Sequence, residues 1–322
     1  MLQVQSTKDT PVHVKPSERL VWSLDGIHLL SISTDRTLKL LEHSPSLGGL
    51  KLVPAVSCSA VGHACFHPLD RSRFVVVGDE KDVAIWDCSE ARVVSRIHCG
   101  MVHNQDVVWS PDGRYIVISN DHDYIGVIDA VKSTFLRKTK HPRQVRCMAW
   151  SRNVDYLLLG TASAGADHRE GYLEVVGVGE GELTLVACIP AHTASCTALR
   201  VDPSFRYAAI ASSDSLVSVW DLNELICLLT IAQFDDEIRS ITLSPSGQHL
   251  AVAPASANSV SIFSTKTGEQ VHSVSYKYGV KSLAWNPAYN VLAIAGAEKP
   301  EDGELRLRDK PREALVTLVQ FD

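Results

Sequence analysis

The residues best suited to chemistry in this sequence are histidines, cysteines and a run of cations, and their spacing decides what each could do. His63 and His67 have the residue types of a metal pair. On a β-strand, four residues of rise separate them by roughly 13 Å, too far to share one ion. Eight cysteines (Cys58, Cys65, Cys88, Cys99, Cys147, Cys188, Cys196 and Cys227) stand singly among apolar neighbours with no Cys-x-x-Cys pair, which suits buried reduced thiols better than disulfides or zinc. No Gly-x-x-x-x-Gly-Lys-Ser/Thr, Gly-x-Gly-x-x-Gly or Gly-x-Ser-x-Gly occurs, so phosphate cradle, dinucleotide site and nucleophile elbow all lack a signature. The reading is therefore a non-enzyme with no metal, no cofactor and no small-molecule substrate.

Charge gives one further candidate. Lys132, Arg137, Lys138, Lys140, Arg143 and Arg146 follow one another with no acid between them, and His141 sits among them. Such a cluster could dock an acidic protein segment or RNA phosphates, or it could be an ordinary solvated strand. Only Phe135 accompanies it as a stacking surface, so sequence-specific RNA reading is not expected and any RNA contact is expected to be indirect. The chain as a whole has a net charge of −6, which gives no global drive toward nucleic acid or anionic lipid. With 45% hydrophobic and 21% charged residues, no long apolar run and no secretory pattern at Met1–Ser6, a soluble, unsecreted globular chain without a membrane segment is expected.

The elements that must position these residues follow from a repeat. An apolar strand ending in Ser/His/Asp-Pro-x-Gly or a degenerate form recurs as VWSLDG, CFHPLD, VWSPDG, AWSRNV, RVDPSF, TLSPSG and AWNPAY. Its anchors are Trp22, Phe66, Trp109, Trp150, Val201, Leu243 and Trp285, at intervals of 44, 43, 41, 51, 42 and 42 residues. A period near 40–45 is that of one four-stranded propeller blade, so the fold class is all-β, a seven-bladed β-propeller of the WD-repeat type over residues 1–322. Two segments could close the ring: Leu2–Gln5 before the first repeat, or Ala314–Val319, which is expected to follow the third strand of the last blade and alternates better. Two loops exceed the blade norm, Ala162–Gly171 and Ala297–Gly303.

Blade 5 is the most complete copy. In WD-repeat proteins, residues of the types of Trp220, Ser212, His192 and Asp214 form a hydrogen-bonded chain that satisfies a buried indole and imidazole, so these four are read as structural. Leu41 and Phe263 stand at Trp positions, with Glu80 and His122 at turn-acid positions. The loops from each outer strand to the next inner strand offer candidate partner-binding residues: His103 and Asn104, His141 and Arg143, Phe234 and Asp236, Tyr276 and Tyr278.

The strings Ile189-Pro190-Ala191-His192, Val201-Asp202-Pro203 and Ser213 to Cys227 resemble the corresponding blade of the WD-repeat subunits of THO complexes. Val108–Gly113, Val127–Ala130, Glu237–Ile241 and Ala284–Pro287 continue the likeness. The degenerate blade 2, the longer blade 4 loop and the C-terminal strand depart from it. The resemblance implies a nuclear, non-enzymatic scaffold of the THO/TREX assembly that couples transcription to mRNA packaging and export, with large helical THO subunits as partners. The alternative is an adaptor of another intracellular assembly, such as a ubiquitin ligase receptor or a signalling scaffold.

Overall fold

The computed structural model describes residues 2–46, 48–58, 61–151, 155–163, 170–297 and 314–322. Every anchor named above is the last residue of an inner strand: Ser17–Trp22, Val61–Phe66, Asn104–Trp109, Gln144–Trp150, Cys196–Val201, Ile238–Leu243 and Gly279–Trp285. Each begins a four-stranded antiparallel sheet, seven in all, and each inner strand packs beside those of the two neighbouring sheets, so the blades form a closed ring.

Burial follows position in the blade. Second strands are covered on both faces by adjacent blades, as at Tyr115–Asn120 where all six residues are buried, and they read as continuous apolar runs. Outer strands such as Thr134–Lys140 are mostly exposed and carry the charges. In four blades the turn after the anchor repeats one chemistry. Ser23, Ser110 and Ser244 Oγ accept the N–H of His28, Tyr115 and His249, and in blade 5 Asp202 accepts that of Tyr207. These turns need one residue at positive φ, supplied by Gly26, Gly113 and Gly247, whereas blade 5 places Phe205 there at φ 57°.

Ring closure uses both chain ends: the N-terminal alternative supplies the outer strand, and the C-terminal stretch takes a role the sequence reading did not assign. The seventh sheet runs from Gly279–Trp285 through Val291–Ala297 and Ala314–Phe321 to Val4–His13. The C-terminal stretch is thus the third strand of its blade, not an addition to it, and the N-terminal segment is the outer strand, paired from Val4 opposite Phe321 to His13 opposite Ala314. Composition explains the order. ALVTLVQF is buried almost throughout, as a doubly covered strand requires, while VQSTKDTPVH is polar and exposed except at its end. Most of the Ala162–Gly171 and Ala297–Gly303 insertions lies outside the described residues.

Deleting residues 2–13 should leave the apolar strand Ala314–Phe321 as a bare edge. The expected result is a melting midpoint lower by about 5 °C or more and faster aggregation on warming, read by thermal unfolding with light scattering. A truncated protein that melts and scatters like the full chain would contradict this role.

Candidate functional site

The candidate chemistry divides between a polar seam beneath the top face, which carries the outer-to-inner strand connections, and the central channel. In blade 5 the seam is continuous. Trp220 Nε1 donates to Ser218 Oγ at 2.7 Å, Ser218 Oγ lies 2.8 Å from His192 Nε2, and His192 Nδ1 lies 3.1 Å from Asp214. The hydroxyl in this chain is Ser218 on the third strand, not Ser212. Ser218 stands opposite Ile210 on the second strand, so an apolar residue there is answered across the ladder. Ser212 instead donates to the Ala194 carbonyl and accepts the Asp214 N–H.

His192 lies nine residues before its anchor, and the same offset picks out His13, His141, Phe234 and Tyr276. Three of the expected partner-binding residues therefore occupy the seam. Blade 4 puts Glu174 at the position of Ser218: its Oε1 accepts from Thr161 at 2.9 Å and Arg143 at 3.3 Å, and Oε2 lies 3.2 Å from His141 Nε2 without the alignment of a hydrogen bond. Phe234 packs edge-on against buried Phe263, the blade 6 residue at the Trp position. Tyr276 is buried beside Thr317 in blade 7, where burial pushes its phenol up to about 12. Asn104 is buried and donates to main-chain carbonyls, including Met101 O at 3.2 Å. Tyr278 packs on Tyr276, and Asp236 accepts the Ser256 N–H. Of the set, His103 is the one with an open side chain, 52% exposed beside Asp79.

The cationic stretch does not make one patch. Lys132 pairs with Asp129, Arg137 with Glu182 and Lys140 with Asp123, while Lys138 and Arg143 lie over the rings of Tyr124 and Tyr172. Acids near in sequence, Asp129 and Asp123, and one from the next blade, Glu182, pair with part of it. Arg146 faces elsewhere, into the channel.

The channel is shaped by one irregularity repeated seven times. Each inner strand has a register shift near its start, which skips Glu18, Gly62, Gln105, Arg146, Thr197, Arg239 and Lys281 in turn. Just past the bulge, side chains reach across to the next blade's backbone. Ser282 accepts the Leu20 N–H, Asp106 that of Met148 and Ser240 that of Leu283. His63 Nδ1 sits 2.7 Å from Asp106 Oδ1 and accepts the Val107 N–H at 3.2 Å, which ties the ring to the neighbouring blade. Burial and then Arg19 hold the His63 imidazole below its ordinary value. Burial works to raise the Asp106 carboxyl, but His63, Arg19 and Arg200 outweigh it and hold it low.

His67 turns away from His63, with its ring against Trp109 and Nδ1 accepting the N–H groups of Leu69 and Asp70. Among the described residues no group of three or more His, Cys, Asp or Glu could hold a metal. Burial pushes the thiols of Cys65 and Cys88 up to about 11 and those of Cys58 and Cys196 to about 12, which disfavours the nucleophilic thiolate. Cys227 departs from the expected burial and is exposed on the outer strand of blade 5.

Comparison with known proteins agrees with this architecture. The model for the WD domain, G-beta repeat, matches residues 183–221, and that for the anaphase-promoting complex subunit 4 WD40 domain matches 203–288. THO complex subunit 3 of Arabidopsis thaliana is 29% identical over 89% of this chain and 88% of its own length. WD repeat-containing protein AAC3 of Dictyostelium discoideum is 25% identical over 90% of this chain and 63% of its own. The β-propeller domain of Cps50 (Swd1) from Myceliophthora thermophila superposes with a TM-score of 0.76 at 13% identity, covering 97% of this chain and 99% of that one, which speaks to the fold alone.

Two predictions come from the seam. Ser218→Ala should cost about 1–3 kcal/mol by stranding two buried donors or acceptors. In a double-mutant cycle by denaturant unfolding it should couple to Trp220→Phe by more than about 0.5 kcal/mol, with Ser212→Ala additive to the same change. The reverse pattern would return Ser212 to the chain. The second concerns pH. Burial opposes His141 ionisation, but the Glu174 carboxylate and Arg143 carbonyl raise its pKa above 6.5, and the same pair holds Glu174 below 4.5 against its own burial. The pair therefore stabilises fully between about pH 4.5 and 6.5, and the gain fades as pH rises through the raised histidine value or falls through the lowered carboxyl value. His141→Gln should lower the melting midpoint most inside that window and least above it; an equal deficit at every pH would remove the ionic account.

The chain is a seven-bladed WD-repeat β-propeller that resembles THO complex subunit 3 along most of its length.

Proposed function

We propose that this chain is a non-enzymatic scaffold subunit of a THO-type assembly in the nucleus, where it joins large helical subunits and serves the coupling of transcription to mRNA packaging and export. The observation that carries the reading is the extent of the likeness to THO complex subunit 3, which runs through 89% of this chain and 88% of the relative. The likeness to AAC3 covers as much of this chain, but at 25% identity and over only 63% of that protein.

The surface suits a protein partner. Leu185 and Val186 on the outer strand of blade 4 and Ile226 and Leu228 on that of blade 5 are each about half exposed, from 48% to 57%. Apolar side chains exposed on neighbouring outer strands form the kind of surface a second protein covers. The histidines and acids near the channel are engaged in blade-to-blade hydrogen bonds, which supports a structural over a catalytic use.

Affinity purification of the tagged chain from nuclear extract, with nuclease treatment and mass spectrometry, tests this. Large helical THO subunits should remain bound after nuclease. Recovery of a different assembly, such as a ubiquitin ligase or a signalling complex, would discard the mRNA-export reading and leave an adaptor of the second kind.

A further inference from the structure

Inside the ring the charge runs against that of the molecule. The chain carries a net charge of −6, yet the central cavity of about 730 Å³ is lined by Arg19, Arg146, Arg200, Arg239 and Lys281 against Glu18, Asp106 and Glu237. The five cations come from five different inner strands, so they converge by ring closure and not by sequence proximity. Three of them, Arg146, Arg239 and Lys281, are bulge residues skipped by the ladder, and the two arginines are exposed at the start of their strands. Arg200 lies further along its strand and is encircled by protein, yet it keeps exposed surface because that surface opens inside the channel.

The four arginines are not spoken for by the acids beside them. Among the described residues, Arg19, Arg146, Arg200 and Arg239 have no carboxylate within ion-pair distance. Asp106, which faces both Arg19 and Arg200, is already committed: Oδ1 takes His63 and the Val107 N–H, and Oδ2 takes the Met148 N–H. The one described hydrogen bond of Arg200 goes to the Leu199 carbonyl at 2.8 Å, which leaves most of the guanidinium fork open. Burial draws Arg200 below its ordinary value, the sign of a cation that an arriving anion would relieve.

We propose that the channel is an anion site for a short acidic peptide segment of a partner protein, whose Asp or Glu carboxylates are held by Arg19, Arg146, Arg200 and Arg239. Guanidinium forks grip carboxylates in bidentate fashion, and a low-dielectric funnel of one sign concentrates the opposite charge at its mouth. The cavity volume admits a few side chains and excludes a duplex. Its aromatic neighbours Trp22, Phe66 and Trp285 are buried in the blade cores, with exposures of 8%, 6% and 5%, so it offers no stacking platform for bases. The site stands on the channel's own residues, whichever assembly the chain joins.

Fluorescence anisotropy of a labelled hexaglutamate peptide with the full chain tests the proposal. Saturable binding at low ionic strength should weaken as salt rises, and Arg19→Gln with Arg200→Gln should weaken it at least about tenfold. Arg146→Gln, at the exposed mouth, should weaken it with an unchanged melting midpoint, which guards against a folding defect in the double variant. Arg137→Gln, on the outer strand of blade 3, should leave it unchanged. Absence of saturable binding would overturn the site, as would an equal loss with Arg137→Gln. An oligouridylate of equal charge that displaces the peptide at lower concentration, and loses affinity in the same channel variants, would overturn the peptide in favour of nucleic acid.

Discussion

A ring of sheets closes only if its last blade is completed, and here the whole architecture depends on one antiparallel ladder between Val4–His13 and Ala314–Phe321. Every blade buries its faces on its neighbours, so an incomplete seventh blade would uncover the first and sixth as well as itself. The chain ends are placed accordingly. The buried third-strand position takes the apolar C-terminal sequence, and the polar N-terminal sequence, which tolerates water, becomes the rim. His13 ends that rim strand and also begins the first blade's polar seam, through Thr37 Oγ1 at 3.1 Å and the Ser31 carbonyl at 3.2 Å, so closure and blade 1 share a residue.

The seam shows how a repeat drifts without losing its fold. A residue nine places before the anchor must meet the third strand in the middle of a blade, where an unpaired polar group costs a few kcal/mol. His192 with Ser218, His141 with Glu174, Tyr276 with Thr317 and Phe234 with Phe263 are four answers to that one demand. They run from a neutral hydrogen-bonded chain through an ion pair to a purely apolar contact. What is fixed is the position and not the residue type, and the answers differ in completeness: the Tyr276 hydroxyl and Glu174 Oε2 are buried without a hydrogen bond.

This accounts for what the sequence did and did not reveal. The number of blades and the inner-strand ends were legible because Trp22, Phe66, Trp109 and their equivalents bury large side chains before a turn with its own signature, and burial at a fixed period leaves a strong pattern. Ser218 was missed because the cross-strand pairing with Ile210 decides which hydroxyl faces the indole, and pairing is not written along one strand. His141, Phe234 and Tyr276 were taken for surface anchors because loop residues beside charges look alike whether they point out or in; the nine-residue offset from the anchor was the available signal. The basic stretch misled for the opposite reason, since Glu182 and Glu174, which neutralise part of it, are 45 and 31 residues away from Arg137 and Arg143.

The bulges explain why the channel is where this propeller can differ from others of its fold. A residue skipped by the ladder lies outside the strand pairing, though not always outside the packing: Thr197 donates to the Ile238 carbonyl of the next blade at 2.6 Å, and a Cβ at Gly62 would meet the Asn104 carbonyl at 2.7 Å. Residues just past the bulge are the reverse: Asp106, Ser240 and Ser282 satisfy backbone N–H groups of the adjacent blade and are held by the architecture. Glycine, threonine, glutamine, glutamate, lysine and two arginines all occupy the skipped position in one ring. Arg146 and Arg239 are exposed at this position and make no ion pair among the described residues, so the excess of cations there is a property of the channel's surface and not a by-product of how the blades are built.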